Sequence, residues 1–268
     1  MKIDPTGRWK LFDSHCHLDD RCYDADRAIV IDRARQAGVE AFMIVGITPE
    51  SSRKAADIAR ETPGAFSSAG IHPHDARHCS DEAIQELIDL AAANPRVRAW
   101  GEIGLDFNRM HSPRKDQEKW FQRQLAAAAG LNLPLIFHER DSGGRFLEIL
   151  QSLIPATRQT GVVHCFSGDK NELRGYLDLG LYIGLTGILT IKKRGTLLRE
   201  MVDFIPEDRL LIETDAPYLT PAPDRNQVKR NEPALVKSVF LKLAQVKGQA
   251  PERLAPVLWE NTCRLFNI

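Results

Sequence analysis

The most informative side chains in this sequence are histidines and carboxylates of the kind that bind divalent metal ions. His15 and His17 form a His-X-His pair. On an extended segment, residues i and i+2 project to the same side, so both imidazoles can reach one ion. Neutral imidazole suits zinc, iron, manganese and nickel, whereas carboxylate oxygens suit magnesium and manganese. A mixed set of histidines and acids therefore predicts a divalent-metal site and leaves the identity of the metal open.

Further histidines and acids stand at the ends of short apolar runs. The full set comprises six of the eight histidines together with three acids: His15, His17, His72, His74, His138, His164, Glu102, Glu213 and Asp215. A buried histidine or carboxylate carries a desolvation penalty unless it is paired or bound to a metal. A single histidine of this kind is more often a satisfied core or capping residue, but the convergent set favours a metal centre.

The elements that must position these residues alternate regularly along the chain. The predicted strands are Lys10–Asp13, Ala41–Gly46, Ala65–Gly70, Val97–Glu102, Pro134–His138, Gly161–His164, Leu181–Gly184 and Arg209–Glu213. The predicted helices are Asp24–Gln36, Ser51–Glu61, Asp81–Ala93, Arg114–Gly130, Gly143–Leu153, Lys170–Leu179, Leu197–Phe204, Pro233–Val246 and Pro251–Asn261. Strands that alternate with helices imply a parallel sheet with right-handed crossovers.

A chain of 268 residues suits one α/β barrel, which typically takes about 250 residues. The alternative is an open doubly wound sheet, but no GxGxxG segment follows the first strand. We therefore predict a TIM-type (β/α)₈ barrel that forms a single domain over residues 1–268. Functional residues of such barrels collect at the C-terminal ends of the strands, where the candidate ligands stand.

Composition and charge limit the possible binding partners of the protein and its possible cellular compartment. The chain has 36 basic and 36 acidic side chains, and this balance argues against a strong nonspecific grip on duplex nucleic acid. No apolar run reaches the roughly 18 residues of a membrane span. The five cysteines are odd in number and lack a CxxC spacing, which is typical of a reducing compartment. We predict a cytoplasmic protein with no targeting segment, no membrane association and no obligate protein partner.

Seven segments resemble the TatD family of metal-dependent deoxyribonucleases, within the amidohydrolase superfamily. They are FDSHCHLD (12–19), AGIHPHD (69–75), GEIGLDF (101–107), HERD (138–141), VHCFSG (163–168), LIETDAPYLTP (211–221) and RNEP (230–233). AGIHPHD and GLDFNR are most similar to TatD proper rather than to its more distant paralogues. The chain departs from the family at Ala222–Lys229, where the usual loop is short and contains glycine, so substrate contacts at this rim stay open.

The resemblance implies a role for individual residues. The residues that match metal ligands are His15, His17 and Asp215 for one ion, His138 and His164 for a second, and Glu102 as the carboxylate that bridges the two. Some members of the subgroup lack the His-X-His pair, whereas this sequence keeps it, so a full two-metal site is expected. His72 matches a non-ligand histidine that faces the substrate phosphate. The positions that match residues lining or buttressing the pocket are Asp106, Arg140, Ser167, Arg230, Asn231 and Glu232.

The activity that the resemblance implies is 3′–5′ exonuclease action on single-stranded DNA, with RNA as a further substrate. Two divalent ions (Mg²⁺, Mn²⁺ or Zn²⁺) would activate a water and neutralise charge on phosphorus. Asp215 is the predicted general base, the alternative being a plain ligand or an acid that only orients a ligand, and Glu213 is predicted to orient a ligand histidine. Arg140 and Arg230 are candidate phosphate clamps.

Other functions stay open at this point. The same ions could polarise a carbonyl, as in a metal-dependent ester or amide hydrolase such as a D-aminoacyl-tRNA deacylase. A non-enzymatic binding protein is disfavoured, because all six matched ligands are present. Cys16 and Cys165 flank ligands, but no signature of thiol catalysis accompanies them. The tryptophans are predicted to pack in the core rather than to stack on bases: Trp9, Trp100, Trp120 and Trp259.

Overall fold

A computed structural model describes residues 9–157 and 160–268, with the backbone alone for residues 154–157. Eight parallel strands form one sheet in the order β1 to β8. The strands are β1 (Leu11–Cys16), β2 (Val39–Ile44), β3 (Ala65–Ala69), β4 (Val97–Asp106), β5 (Leu135–Arg140), β6 (Gly161–Val163), β7 (Tyr182–Leu185) and β8 (Leu210–Ile212). The predicted α/β fold with a (β/α)₈ barrel is confirmed.

Helices separate the strands along the chain and follow the last one. They are α1 (Arg27–Gln36), α2 (Pro49–Glu61), α3 (Asp81–Ala93), α4 (Arg114–Ala129), α5 (Arg145–Thr157), α6 (Lys170–Asp178), α7 (Thr196–Met201), α8 (Val236–Lys247) and α9 (Pro251–Phe266). Across residues 9–157 and 160–268, none of the helices combines the length and the apolar character needed to cross a membrane.

Hydrogen bonds between the first strand and the residues after the last one join the two ends of the sheet. The amide of Asp215 donates to the carbonyl of His15 at 2.9 Å, and the amide of His17 donates to the carbonyl of Ala216 at 2.7 Å. Cys16 and Ala216 form an isolated parallel bridge between these segments. The contact brings the His-X-His segment against the segment that carries Asp215, although about 200 residues separate them in sequence.

A second apolar cluster, distinct from the packing between strands and helices, fills the inside of the barrel. Every strand contributes to it, and its strand residues are Phe12, Ala41, Met43, Phe66, Ala99, Ile136, Val162, Tyr182 and Leu211. Phe266 of α9 joins this cluster, with its ring centroid 6.4 Å from that of Phe12. The interior is therefore a packed core, as expected for this fold, and the polar residues farther along the strands rest on it.

The observed elements differ from the predicted ones mainly at their ends. β1, β4 and β5 run past the apolar stretches to Cys16, Asp106 and Arg140, because backbone pairing with the adjacent strand continues there. α1 begins at Arg27 rather than Asp24. A short 3₁₀ segment, Arg21–Tyr23, precedes it, and the Asp20 carboxylate accepts a hydrogen bond from the amide of Cys22 at 2.7 Å.

Candidate metal centre

The C-terminal ends of the strands bring together all six residues that the sequence predicts as metal ligands. Their potential ligand atoms form three overlapping groups in which the atoms lie within 4.8 Å of one another: His15–His17–Glu102, His15–His164–Asp215 and Glu102–His138–His164. A fourth group of the same kind, His72–His74–His138, adjoins them. The strands thus position the side chains as the barrel topology predicts, on one rim.

Glu102 lies at the centre of the cluster and is almost completely buried. Its Oε2 atom is 3.4 Å from Nε2 of His15. Its Oε1 atom faces a different pair, at 2.8 Å from Nδ1 of His138 and 3.1 Å from Nε2 of His164. The two oxygens of one carboxylate therefore face different histidines.

Asp215 faces the histidine pair of the first strand. Its Oδ1 atom lies 3.4 Å from Nε2 of His17 and 3.7 Å from Nε2 of His15. The two Nε2 atoms are 3.3 Å apart. The side chain of Asp215 is 14% exposed, compared with 3% for Glu102, so of these two carboxylates Asp215 is the more accessible to solvent.

The opposite ring nitrogens of three candidate ligands face protein oxygens. Nδ1 of His17 is 3.0 Å from the Val45 carbonyl. Nε2 of His138 lies 3.2 Å from Oδ2 of Asp106. Nδ1 of His164 is 3.2 Å from Oε1 of Glu213, where the sequence predicts an orienting acid. A proton held on the outer nitrogen leaves the lone pair on the inner nitrogen free for a metal ion.

The electrostatics of the cluster follow from the close approach of acids and histidines in a buried place. Burial by itself raises the pKa of Glu102, but the neighbouring His164, His72 and His15 outweigh it and hold that pKa well below its usual range. Burial lowers the pKa of His164, but Glu102 and Glu213 reverse the shift and raise it. Buried carboxylates and imidazoles that converge without an apolar filler are the donor set of a divalent cation, and the residues present fit one.

Glycines beside Glu102 allow β4 to approach β5 closely. Gly104 has φ +150°, and a Cβ atom there would lie 1.8 Å from the carbonyl oxygen of His138. Gly101 has φ +149°, and its Cβ would lie 2.4 Å from the carbonyl oxygen of Ile136. Any larger residue at these two positions would push the strand that carries Glu102 away from the strand that carries His138.

His72 lies beside the cluster, and one of its ring nitrogens accepts a hydrogen bond from the backbone. The amide of His74 donates to Nδ1 of His72 at 3.1 Å, which places the ring proton on Nε2. Nε2 lies 3.5 Å from Oε1 of Glu102. Burial lowers the pKa of His72 to about 3, so the ring is neutral at physiological pH. His72 can therefore offer one N–H to a group held at the cluster.

The three remaining candidate substrate contacts have different surroundings. Asp106 is 1% exposed, and its carboxylate accepts hydrogen bonds from His74 at 2.8 Å and from His138. Arg140 ends the same strand as His138, and its guanidinium pairs with no acid among the described residues. Arg230 pairs with Asp26 through Nη2, at 2.5 and 2.7 Å from its two carboxylate oxygens, and stacks over Tyr23.

The RNEP segment ties the loop after β8 to the rest of the rim. Asn231 is fully buried, and its Nδ2 donates to the carbonyls of Thr214 and Tyr218 at 2.9 and 2.5 Å. Glu232 accepts two hydrogen bonds from the guanidinium of Arg33 on α1, at 2.8 and 2.7 Å. The segment acts on the pocket through the loop that carries Asp215.

Sequence reasoning assigned no individual role to two side chains that the structure places at the rim. His74 donates to Asp106, and its position after the third strand was the available signal. Tyr218 is exposed beside His17, with ring centroids 6.0 Å apart. No feature of composition or spacing distinguishes this tyrosine from a core aromatic residue.

An eight-stranded parallel barrel with this donor set at its C-terminal rim is the architecture of a metal-dependent hydrolase. The TatD-related DNase family matches residues 12–267. The chain is 42% identical to a protein named 3′-5′ ssDNA/RNA exonuclease TatD from Rahnella sp. over 96% of this chain and 98% of that one. It is 39% identical to the protein of the same name from Salmonella typhimurium, over 96% and 99%. The chain belongs to the TatD family.

A solved structure gives the same result. The TatD homologue YJJV from Escherichia coli K12 superposes with a TM-score of 0.88 at 29% sequence identity, covering 96% of this chain and 98% of that one. The resemblance that the sequence motifs indicate is confirmed.

Proposed function

We propose that this protein is a metal-dependent phosphodiesterase that shortens single-stranded DNA from the 3′ end, and that it also accepts RNA. Membership of the TatD family supports the reaction class, and the curated relatives carry the name of that activity. The proposal includes a cytoplasmic location, which the five free cysteines in the described ranges support.

The observation that carries the proposal is the placement of Glu102 between His15 on one side and His138 and His164 on the other. Its Oε2 atom faces His15, and its Oε1 atom faces His138 and His164. We propose that His15, His17 and Asp215 would hold one ion, that His138 and His164 would hold a second, and that Glu102 would be a ligand of both. Mg²⁺, Mn²⁺ and Zn²⁺ all suit this mixture of ligands. Divalent ions at such a site lower the pKa of water and neutralise charge on a phosphate.

The residues of the chain then have separate tasks. Asp215 is the proposed general base, because its carboxylate is ionised, with a pKa held low by His17, His164 and His15 against the effect of burial, and because it reaches solvent. His72 donates its Nε2 proton to a phosphate oxygen. Arg140 is the proposed phosphate clamp, whereas the guanidinium of Arg230 is engaged by Asp26.

Asp106 has the surroundings of a positioning residue. We assign it to the orientation of His138 and His74, because its buried carboxylate accepts hydrogen bonds from both rings. The geometry supports this positioning role for Asp106 better than the direct contact with substrate that the sequence predicted.

Exposed cations line the same rim and suit a phosphate backbone. Lys192, Lys193 and Arg194 are consecutive and exposed in the loop after β7, and Arg109 is exposed in the loop after β4. None of the four forms a salt bridge with another residue in the described ranges. Unpaired cations in loops at the C-terminal rim favour a nucleic-acid substrate over a small ester.

The test is hydrolysis by protein reconstituted with Mg²⁺, Mn²⁺ or Zn²⁺ on 5′-labelled single-stranded DNA and on an aminoacyl ester. The proposal expects stepwise shortening from the 3′ end, abolished by EDTA and by Asp215→Asn, with Asp141→Asn as the exposed-acid control on the same rim. Turnover of the ester with intact DNA contradicts the proposal and selects carbonyl hydrolysis.

A further inference from the structure

An exposed aromatic side chain stands next to the proposed ion site of the first strand. In the described ranges, Tyr218 and Phe204 are the exposed large aromatic residues, at 53% and 54% of their surface. The Tyr218 ring lies 6.0 Å from the His17 ring at an interplanar angle of 67°. No described residue hydrogen-bonds to its hydroxyl group. Single exposed apolar residues are common, so the place of Tyr218 rather than its exposure requires explanation.

The backbone under Tyr218 is fixed although its ring is exposed. Its amide donates to the carbonyl of Asp215 at 2.8 Å, and its carbonyl accepts a hydrogen bond from Asn231 at 2.5 Å. The amide of Asn231 donates to the carbonyl of Pro217 at 3.2 Å. Tyr218 is therefore held three residues from the proposed general base by backbone hydrogen bonds, which limits the backbone entropy lost when a ligand contacts the ring.

The exposed face of the Tyr218 ring offers a stacking surface to an uncharged planar group such as a nucleobase.

We propose that Tyr218 forms one face of a nucleobase subsite, on which the base of a nucleotide adjoining the scissile phosphate stacks. The inference rests on the proposed function and deepens it, because it specifies that the enzyme recognises the base as well as the sugar–phosphate chain. Stacking on an aromatic side chain tolerates any of the bases, so the subsite selects base-bearing ends over abasic ends without reading sequence.

The expected effect follows from the strength of base stacking. Loss of one base–aromatic stack weakens single-strand binding by roughly 5- to 150-fold. Tyr218→Ala should lower kcat/KM on single-stranded DNA within this range, mainly through KM, because the ring contacts a base rather than the reacting atoms. Tyr218→Phe should stay near the wild-type value, since it keeps the ring and loses only the hydroxyl group.

The experiment compares wild-type protein, both Tyr218 variants and Phe204→Ala, which removes an exposed aromatic residue elsewhere. Three 5′-labelled single strands are used: one intact, one with a tetrahydrofuran abasic residue at the 3′ end, and one with that residue at the penultimate position. We expect Phe204→Ala to match wild type. We also expect one abasic strand to lower the wild-type rate to that of Tyr218→Ala, so that the variant carries no further defect on that strand.

Three results would overturn the inference. Tyr218→Ala could match wild type on the intact strand, its defect could persist undiminished on both abasic strands, or Tyr218→Phe could be as impaired as Tyr218→Ala. Each of these leaves wild-type nuclease activity in place, so the proposed function survives. Wild-type protein that shortens no strand contradicts the proposed function itself. Thermal melting and metal content, measured for every variant, identify any loss that comes from misfolding.

Discussion

The Asp106 carboxylate lies 3.2 Å from Nε2 of His138, on the edge of the imidazole opposite to the nitrogen that faces Glu102. A carboxylate in this position fixes the ring and raises the basicity of the inner nitrogen, and removal of such a partner typically weakens metal binding by about 10- to 100-fold. Asp106 therefore has no direct access to the proposed ions, but it affects their binding affinity through His138.

Asp106→Asn should weaken metal affinity at the site proposed at His138 and His164 by about 10- to 100-fold and leave the affinity of the site proposed at His15 and His17 largely unchanged. Calorimetric titration of metal-free protein measures the two affinities separately. Asp141→Asn is the matched control, because Asp141 is an exposed acid on the same rim. Equal weakening of both ions, or of neither, would contradict the positioning role.

Gly104→Ala should destabilise the fold and the site together. The added Cβ would lie 1.8 Å from the His138 carbonyl, and φ is +150° there, so overpacking and backbone strain add to about 2–6 kcal/mol of unfolding free energy. Gly130→Ala is the control, because its Cβ would meet no atom closer than 3.7 Å. Urea unfolding measures both variants. Equal stability of the two would show that β4 can move away from β5 without cost.

Asn231→Ala should lower stability and activity through the loop after β8. The substitution leaves the buried carbonyls of Thr214 and Tyr218 without their donor. Each unsatisfied carbonyl lowers the free energy of unfolding by up to about 1–3 kcal/mol. Asn171→Ala, at an exposed position on α6, should change the unfolding free energy by less than about 0.5 kcal/mol. If Asn231→Ala melts like wild type and retains full activity, the loop does not depend on this contact.

The triple variant Lys192→Ala, Lys193→Ala, Arg194→Ala should bind single-stranded DNA with a flatter salt dependence. Each phosphate contact on a single strand contributes about 0.7 to the slope of log K against log salt, so three contacts change the slope by about 2. Fluorescence anisotropy between low and physiological salt measures it. Lys242, Lys247 and Arg253 on α8 and α9 form the matched control triple. An unchanged slope would remove this loop from the binding surface.

The candidate ligands could be predicted because the topology of a parallel barrel converts sequence position into spatial position. His138 and His164 follow apolar runs, so they had to meet at one rim once the eight strands closed. The atom that each residue presents could not be predicted in this way. His138 turns Nδ1 to Glu102 while His164 turns Nε2, and the outer nitrogens of the two rings face Asp106 and Glu213.

Contacts that depend on tertiary pairing of distant residues could not be predicted from the sequence either. Arg230 matched a pocket position, but its pairing with Asp26 joins residues 204 positions apart and is set by how α1 packs against the loop after β8. Tyr218 shares this property, because its exposure depends on a loop held by Asn231. The strand ends at Asp106 and Arg140 depended on backbone pairing between β4 and β5, which has no local hydrophobic signature.

The most direct measurement of the central claim is the metal content of purified, metal-reconstituted protein, determined by mass spectrometry for wild type, Glu102→Ala and the exposed control Glu148→Ala. We expect two divalent ions per chain in wild type and in the control. Because Glu102 faces ligands of both proposed ions, Glu102→Ala should lose both ions. Full occupancy of both sites in Glu102→Ala, or a wild-type protein that binds no divalent ion, would contradict the account.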